Sequence, residues 1–230
     1  MQYKYILIDI DKTLFLYFFM TKVMEYEASL GLLDKRTYQE IQSLFREHAE
    51  GNLDYVTLGR NAIRLYSQAL SGKKYQSILQ ADYAFAVQKT SEIAPFFKDL
   101  LALTKKDKTI KTVLVTSEPR PMATALAVAL GVHNVISSQM EIVDDLFTGH
   151  IDLLMTPEEK LEALIERDIS KDNILAAFGD SISDRDMLAL AKHPFCMEPS
   201  PELRKIAEEN NWTILTKVSN FHDYAHLFSA

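Results

Sequence analysis

The chain has 230 residues, of which 47% are apolar and 25% charged, and its formal net charge is −7. That length buries a large core and leaves room for a second, smaller module. The negative balance speaks against general nucleic-acid binding, which needs a basic face to neutralise phosphates. The single Cys196 rules out an intrachain disulfide.

A lone cysteine fits a reducing compartment, and the cytoplasm is the expected one. No secretory signal is read at the start, and no apolar run approaches the ~20 residues that span a bilayer. No membrane association is expected either: the aromatic stretch 14–19 lacks the basic partners of an interfacial helix, so it is read as buried or lid-facing.

The first element is a buried strand at 5–8, ending in Asp9-Ile10-Asp11-Lys12-Thr13. From about residue 15 to 88 the pattern turns helical. Tyr38, Ile41, Phe45 and His48 recur at helical spacing, as do Val56, Ile63, Tyr66 and Leu70. Breaks near Gly31, Gly51-Asn52 and Ser71-Gly72 divide this stretch into about four helices. Strand-like segments follow at 111–115, 135–136, 174–178 and 195–197, with another at 212–215. Helices are expected between them at 122–130, 157–167, 183–192 and 201–210. Thr156 as N-cap, Pro157 at the first helical position and Glu159 as the third residue make a capping box. Between 138 and 152 a small hairpin is expected, turning at Thr148-Gly149.

Strands separated by helices form a parallel sheet. The fold class is therefore α/β, a Rossmann-like parallel sheet flanked by helices, with an inserted all-helical cap. The expected division is 1–14 with 89–230 as core and 15–88 as cap.

Asp9 and Asp11 are costly at the end of a buried strand, where charge persists only when paired, hydrogen-bonded or metal-bound. Alternate strand residues share a face, so both can converge on a ligand in the crevice where open α/β sheets bind. A second acidic set, Gly179-Asp180-Ser181-Ile182-Ser183-Asp184, follows another apolar run. Gathered together, these carboxylates call for a hard cation, and oxygen ligands suit Mg²⁺. Thr116 and Ser117 end the strand at 111–115 and offer hydroxyls and N–H groups to an anion ahead of a helix. Lys160, in the first turn of its helix, offers an ammonium to the same phosphate.

The ordered set Asp9-Ile10-Asp11-Lys12-Thr13, Val115-Thr116-Ser117, Lys160 and Gly179 to Asp184 resembles the haloacid dehalogenase superfamily. Within it, the chain looks like the phosphoserine-phosphatase-like branch with a helical cap. The resemblance implies that Asp9 is the nucleophile and Asp11 the general acid and base. It implies Mg²⁺ held by Asp9, the Asp11 backbone carbonyl, Asp180 and Asp184, with Thr116, Ser117 and Lys160 on the phosphoryl group. The expected activity is hydrolysis of a small phosphorylated metabolite. The same acids would also serve a phosphotransferase or phosphomutase, and the fold alone would serve a catalytically silent binding module.

In the cap, Arg60 and Arg64 lie one helical turn apart and are the candidate contacts for the far end of the substrate. Lys12 departs from the family pattern, in which a small or neutral residue is usual. His222 and His226 share helical spacing but suggest no third zinc ligand. Cys196 reads as a buried small hydrophobe.

Overall fold

A computed structural model describes residues 3–132 and 134–228; His133 lies outside the described residues. The chain opens with strand β1 (Lys4–Ile8), whose side chains alternate between the two faces of the sheet. Ile6 and Ile8 enter the apolar layer on one side, Leu7 the layer on the other. The four helices of the cap come next: α1 (Phe19–Ser29), α2 (Lys35–Ala49), α3 (Tyr55–Leu70) and α4 (Tyr75–Lys89). They end at the expected breaks, where Gly31, Gly51 and Gly72 all adopt positive φ.

The core continues with α5 (Pro95–Lys106), β2 (Ile110–Pro119), α6 (Arg120–Leu130), β3 (Asn134–Val143) and β4 (Leu146–Leu153). It closes with α7 (Pro157–Ile165), β5 (Ile174–Gly179), α8 (Arg185–Ala189), β6 (His193–Met197), α9 (Pro201–Glu209) and β7 (Thr213–Leu215). The strand order is β4-β3-β2-β1-β5-β6-β7, parallel throughout except for the β3–β4 hairpin. The first strand is thus central, between β2 and β5. Ile8 stands level with Leu114 on one side and Phe178 on the other. Whatever follows these three strands meets at one carboxyl edge.

One side of the sheet is filled by a phenylalanine stack, with Phe178 and Phe195 rings 4.8 Å apart and nearly parallel. Cys196 is buried on the other side, with its thiol pushed up to about 12 by burial first and by Asp184 second.

Two expectations need correction. The hairpin does not turn at Thr148-Gly149 but at Asp144 and Asp145, with φ of 50° and 65°. Aspartate tolerates this left-handed backbone, and a two-residue turn of that kind matches strand twist. Gly149 sits inside β4 instead, where a Cβ would stand 3.2 Å from the Ser71 Cβ. The helix expected over 183–192 is a short 3₁₀ turn, Ile182–Asp184, followed by the five residues of α8. There Ser181 and Asp184 cap each other, and the chain must reach β6 by His193.

Candidate active site

After Ile8 the chain makes a wide turn in which Leu14 N donates to Asp9 O and Phe15 N to Ile10 O. Lys12 takes the left-handed conformation (φ 56°) at its crest. Its ammonium lies 4.4 Å from the centre of the Phe18 ring. Asp9 is fixed by its own N–H, which donates to Phe178 O at 3.0 Å.

Asp9, Asp180 and Asp184 present carboxylate oxygens within 4.8 Å of one another, all three buried. Lys160 Nζ donates to Asp184 Oδ1 at 2.8 Å and pairs with Asp9 Oδ1 at 3.5 Å. Thr156 places that lysine by accepting from Glu159 N at the start of α7, but the expected capping box is only half formed: Thr156 N donates to Leu154 O rather than to the Glu159 side chain. Asp184 Oδ2 accepts from the N–H groups of Asp180 and Ser181 and from the Ser181 hydroxyl. Gly179 is obligatory beside it: a Cβ there would lie 2.4 Å from the Asp184 Cβ.

Three carboxylates and one ammonium leave this cluster with two excess negative charges. Burial raises Asp9 well above the usual carboxylate range, Asp184 raises it further, and Lys160 opposes both. Asp180 is raised in the same way, by burial and then by Asp184. An all-oxygen donor set with surplus negative charge fits a hard divalent ion.

The Asp11 carboxylate is not part of that cluster. It turns the other way, accepting from Phe19 N at 2.6 Å at the start of α1, and faces Glu118. Burial pushes Asp11 up to about 6, against the hydrogen bonds of Phe19 and Glu118. Glu118 is 2% exposed, and neither of its oxygens receives a protein N–H or O–H donor. Buried carboxyls facing one another without a base disfavour ionisation of both. Burial and then Asp11 raise Glu118 well above the usual carboxylate range.

The two candidate hydroxyls separate. Ser117 Oγ is committed to Met155 O at 2.8 Å, whereas Thr116 Oγ1 accepts from Glu118 N and keeps its own proton to donate. Between the sheet edge and the cap lies a pocket whose lining includes Asp11, Thr116, Ser117, Tyr55 and Arg60. Arg64 lies outside that lining, on an exposed part of α3.

Tyr55 and Glu118 are additions to the set read from sequence. Glu118 carried a signal, since it lies two residues past Thr116 on the same strand and so shares its face. Tyr55 carried none: the helical pattern begins at Val56, and only folding brings it into one pocket lining with Asp11, within the field of Asp9, Asp11, Asp180 and Asp184. Burial and those four carboxylates keep it protonated.

A profile described as haloacid dehalogenase-like hydrolase matches residues 6–189. The chain belongs to that family. A phosphoserine phosphatase of Mycobacterium tuberculosis is 30% identical over 105 residues, 44% of this chain and 34% of that one. The chain thus spans about a third of the length of that relative. A histidinol-phosphatase of Neisseria meningitidis is 23% identical over 203 residues, 83% of this chain and 88% of its own. Among solved structures, a Bordetella pertussis protein of unknown function superposes with TM-score 0.74 at 18% identity, over 94% of this chain and 100% of that one. That likeness shows the fold. Among the described residues no helix is long and apolar enough to cross a membrane.

Proposed function

We propose that this haloacid dehalogenase-like hydrolase is a Mg²⁺-dependent phosphomonoester hydrolase acting on a small phosphorylated metabolite. The observation that carries the reading is the division of labour among its buried carboxyls. Asp9, Asp180 and Asp184 converge around one point beside Lys160, while Asp11 stands apart with a carboxyl raised toward neutrality.

In the proposed mechanism Asp9 attacks phosphorus, and the ester oxygen departs with a proton from Asp11. Water then attacks the phosphorus of the aspartyl-phosphate, gives its proton to Asp11 and restores Asp9. Asp9 and Asp180 would hold Mg²⁺, with the Asp11 backbone carbonyl and with Asp184, which also carries Lys160. Bound there, such an ion would supply positive charge toward the transferring phosphoryl group. Lys160 and the Thr116 hydroxyl supply the rest from the core, and Ser117 braces the loop through Met155. From the cap, the Tyr55 hydroxyl makes no protein hydrogen bond among the described residues and is the donor free to meet the phosphoryl group.

The test is hydrolysis of an aryl phosphate in Mg²⁺ by wild type and Asp9→Asn, with folding monitored by circular dichroism. Wild type should release phosphate and the folded variant should not. Near-wild-type turnover by Asp9→Asn would remove Asp9 as nucleophile.

A further inference from the structure

The pocket beside the acids has a one-sided relation to them. Its lining includes Asp11, Thr116 and Ser117 but none of Asp9, Asp180 and Asp184. It therefore adjoins the carboxyl that would protonate the departing oxygen, rather than the point where the divalent ion would sit. That is the position of the alcohol portion of a phosphate ester.

The walls are apolar. Phe18 and Phe45 meet edge-to-face with ring centres 4.9 Å apart, and Val56, Ile63, Leu154 and Met155 stand with them in the lining, beside Thr156 and Ser183. A sugar or a nucleoside would bring several hydroxyls against this surface, and each buried without a partner costs about 1–3 kcal/mol. Asp11 and Glu118 both belong to the lining, and among the described residues its one base is Arg60. A second anion near the ester would meet those two carboxyls. Arg60 is exposed, so solvent screens its charge.

We infer that the substrate is the monophosphate of a compact apolar alcohol, arylalkyl or branched alkyl, with no second anionic group near the ester. Its ring or branch stands in the corner made by Phe18 and Phe45. This inference rests on the phosphatase reading and narrows it. It also sets this chain apart from its phosphoserine-phosphatase relatives, because phosphoserine carries a carboxylate on its alcohol portion.

The experiment compares 2-phenylethyl phosphate with phosphoserine, glucose 6-phosphate and 5′-AMP on the wild-type protein in Mg²⁺, reading released phosphate. Burying one phenyl ring predicts kcat/KM for 2-phenylethyl phosphate about tenfold to a hundredfold above the others. A rate on phosphoserine, glucose 6-phosphate or 5′-AMP equal to or above it overturns the inference. Phe45→Gln should shrink the preference to within about threefold. Val56→Gln, on the more open part of the wall, gives the same readout if Phe45→Gln does not fold. If no ester at all is hydrolysed, the phosphatase reading fails by itself. The pocket is then tested with the product alcohol: NMR line broadening of 2-phenylethanol but not glycerol sustains the inference, and equal behaviour of the two sinks it.

Discussion

Lys160→Met tests the electrostatics of the site most directly. Methionine keeps most of the length and apolar stem of lysine but removes the charge. The ammonium is 2% exposed, 2.8 Å from Asp184 and 3.5 Å from Asp9. Deleting one member of a buried ionic group leaves the others uncompensated, at a cost of about 3–5 kcal/mol. For a chain of this size each kcal/mol moves Tm by about 2–4 °C, so a fall of about 6–20 °C is expected in EDTA. Two further signatures follow from the same geometry. Mg²⁺ should raise the Tm of the variant more than that of wild type, because the ion takes over the charge compensation that Lys160 supplied. The deficit should also shrink as pH falls toward 5: burial has already raised Asp9 and Asp180, and without lysine they neutralise by taking up protons. Differential scanning fluorimetry at two pH values, with and without Mg²⁺, reads all three. A Tm within about 2 °C of wild type in EDTA would refute the ionic account of Lys160.

Other expectations can be checked alongside. Tyr55→Phe should lower kcat/KM by about tenfold to a hundredfold, the worth of a hydrogen bond to a charged group, and should weaken Mg²⁺-dependent orthovanadate binding by a similar factor. A loss confined to one leaving group would show that the phenol touches the alcohol instead. Arg60→Ala should alter KM for esters reaching the pocket mouth, whereas Arg64→Ala should leave kinetics within about twofold of wild type. In the cap, Glu27 accepts from the Tyr66 hydroxyl at 2.5 Å and lies against Asp82; burial pushes Glu27 up from 4.5 to about 7. The folded state then binds more protons than the unfolded one between those values, so stability falls as pH rises through the window. Glu27→Gln should abolish that loss, gaining about 3 kcal/mol on wild type between pH 4.5 and 8 in urea melts; a pH-independent difference would refute it.

How far the sequence reaches can be judged residue by residue. Asp9, Thr116, Lys160 and Asp180 were legible because each ends a strand or opens a helix, and those boundaries are written locally in apolar runs, prolines and caps. The cap helices were legible for the same reason, down to the glycines that end them. The hairpin turn was misplaced because Thr148-Gly149 is the stronger local signal. Glycine is required at 149 by a φ of 93° inside the strand and by the close approach to Ser71, and neither shows in the local sequence as anything but a turn. The side chain of Asp11 could be placed at the strand end but not aimed. Its direction depends on Phe19 N and on Glu118, the latter more than a hundred residues away along the chain. Tyr55 was illegible because nothing local distinguishes the first residue of a helix aimed at solvent from one set within the field of four carboxylates.

The way the cap is held also limits how a substrate can enter. The turn between α3 and α4 is stitched to the hairpin: Gly72 N donates to Phe147 O, Phe147 N to Lys73 O and Tyr75 N to Asp145 O. The hydroxyls of Ser67 and Ser71 add bonds to His150 O and Thr148 O. Swinging the whole cap away would break all of these together, at about 1 kcal/mol each, besides exposing the apolar surface beneath. The second helix is held far more weakly, with Ile41 its one buried residue, yet it carries Phe45 into the pocket wall. Elements with little buried surface open at the lowest free energy. Entry should therefore proceed by displacement of α2, with α3 and the acids behind it staying in place. Amide exchange in α2 should outpace that in α3 and α4 and slow when vanadate and Mg²⁺ fill the site. Uniform protection across these helices would contradict the route.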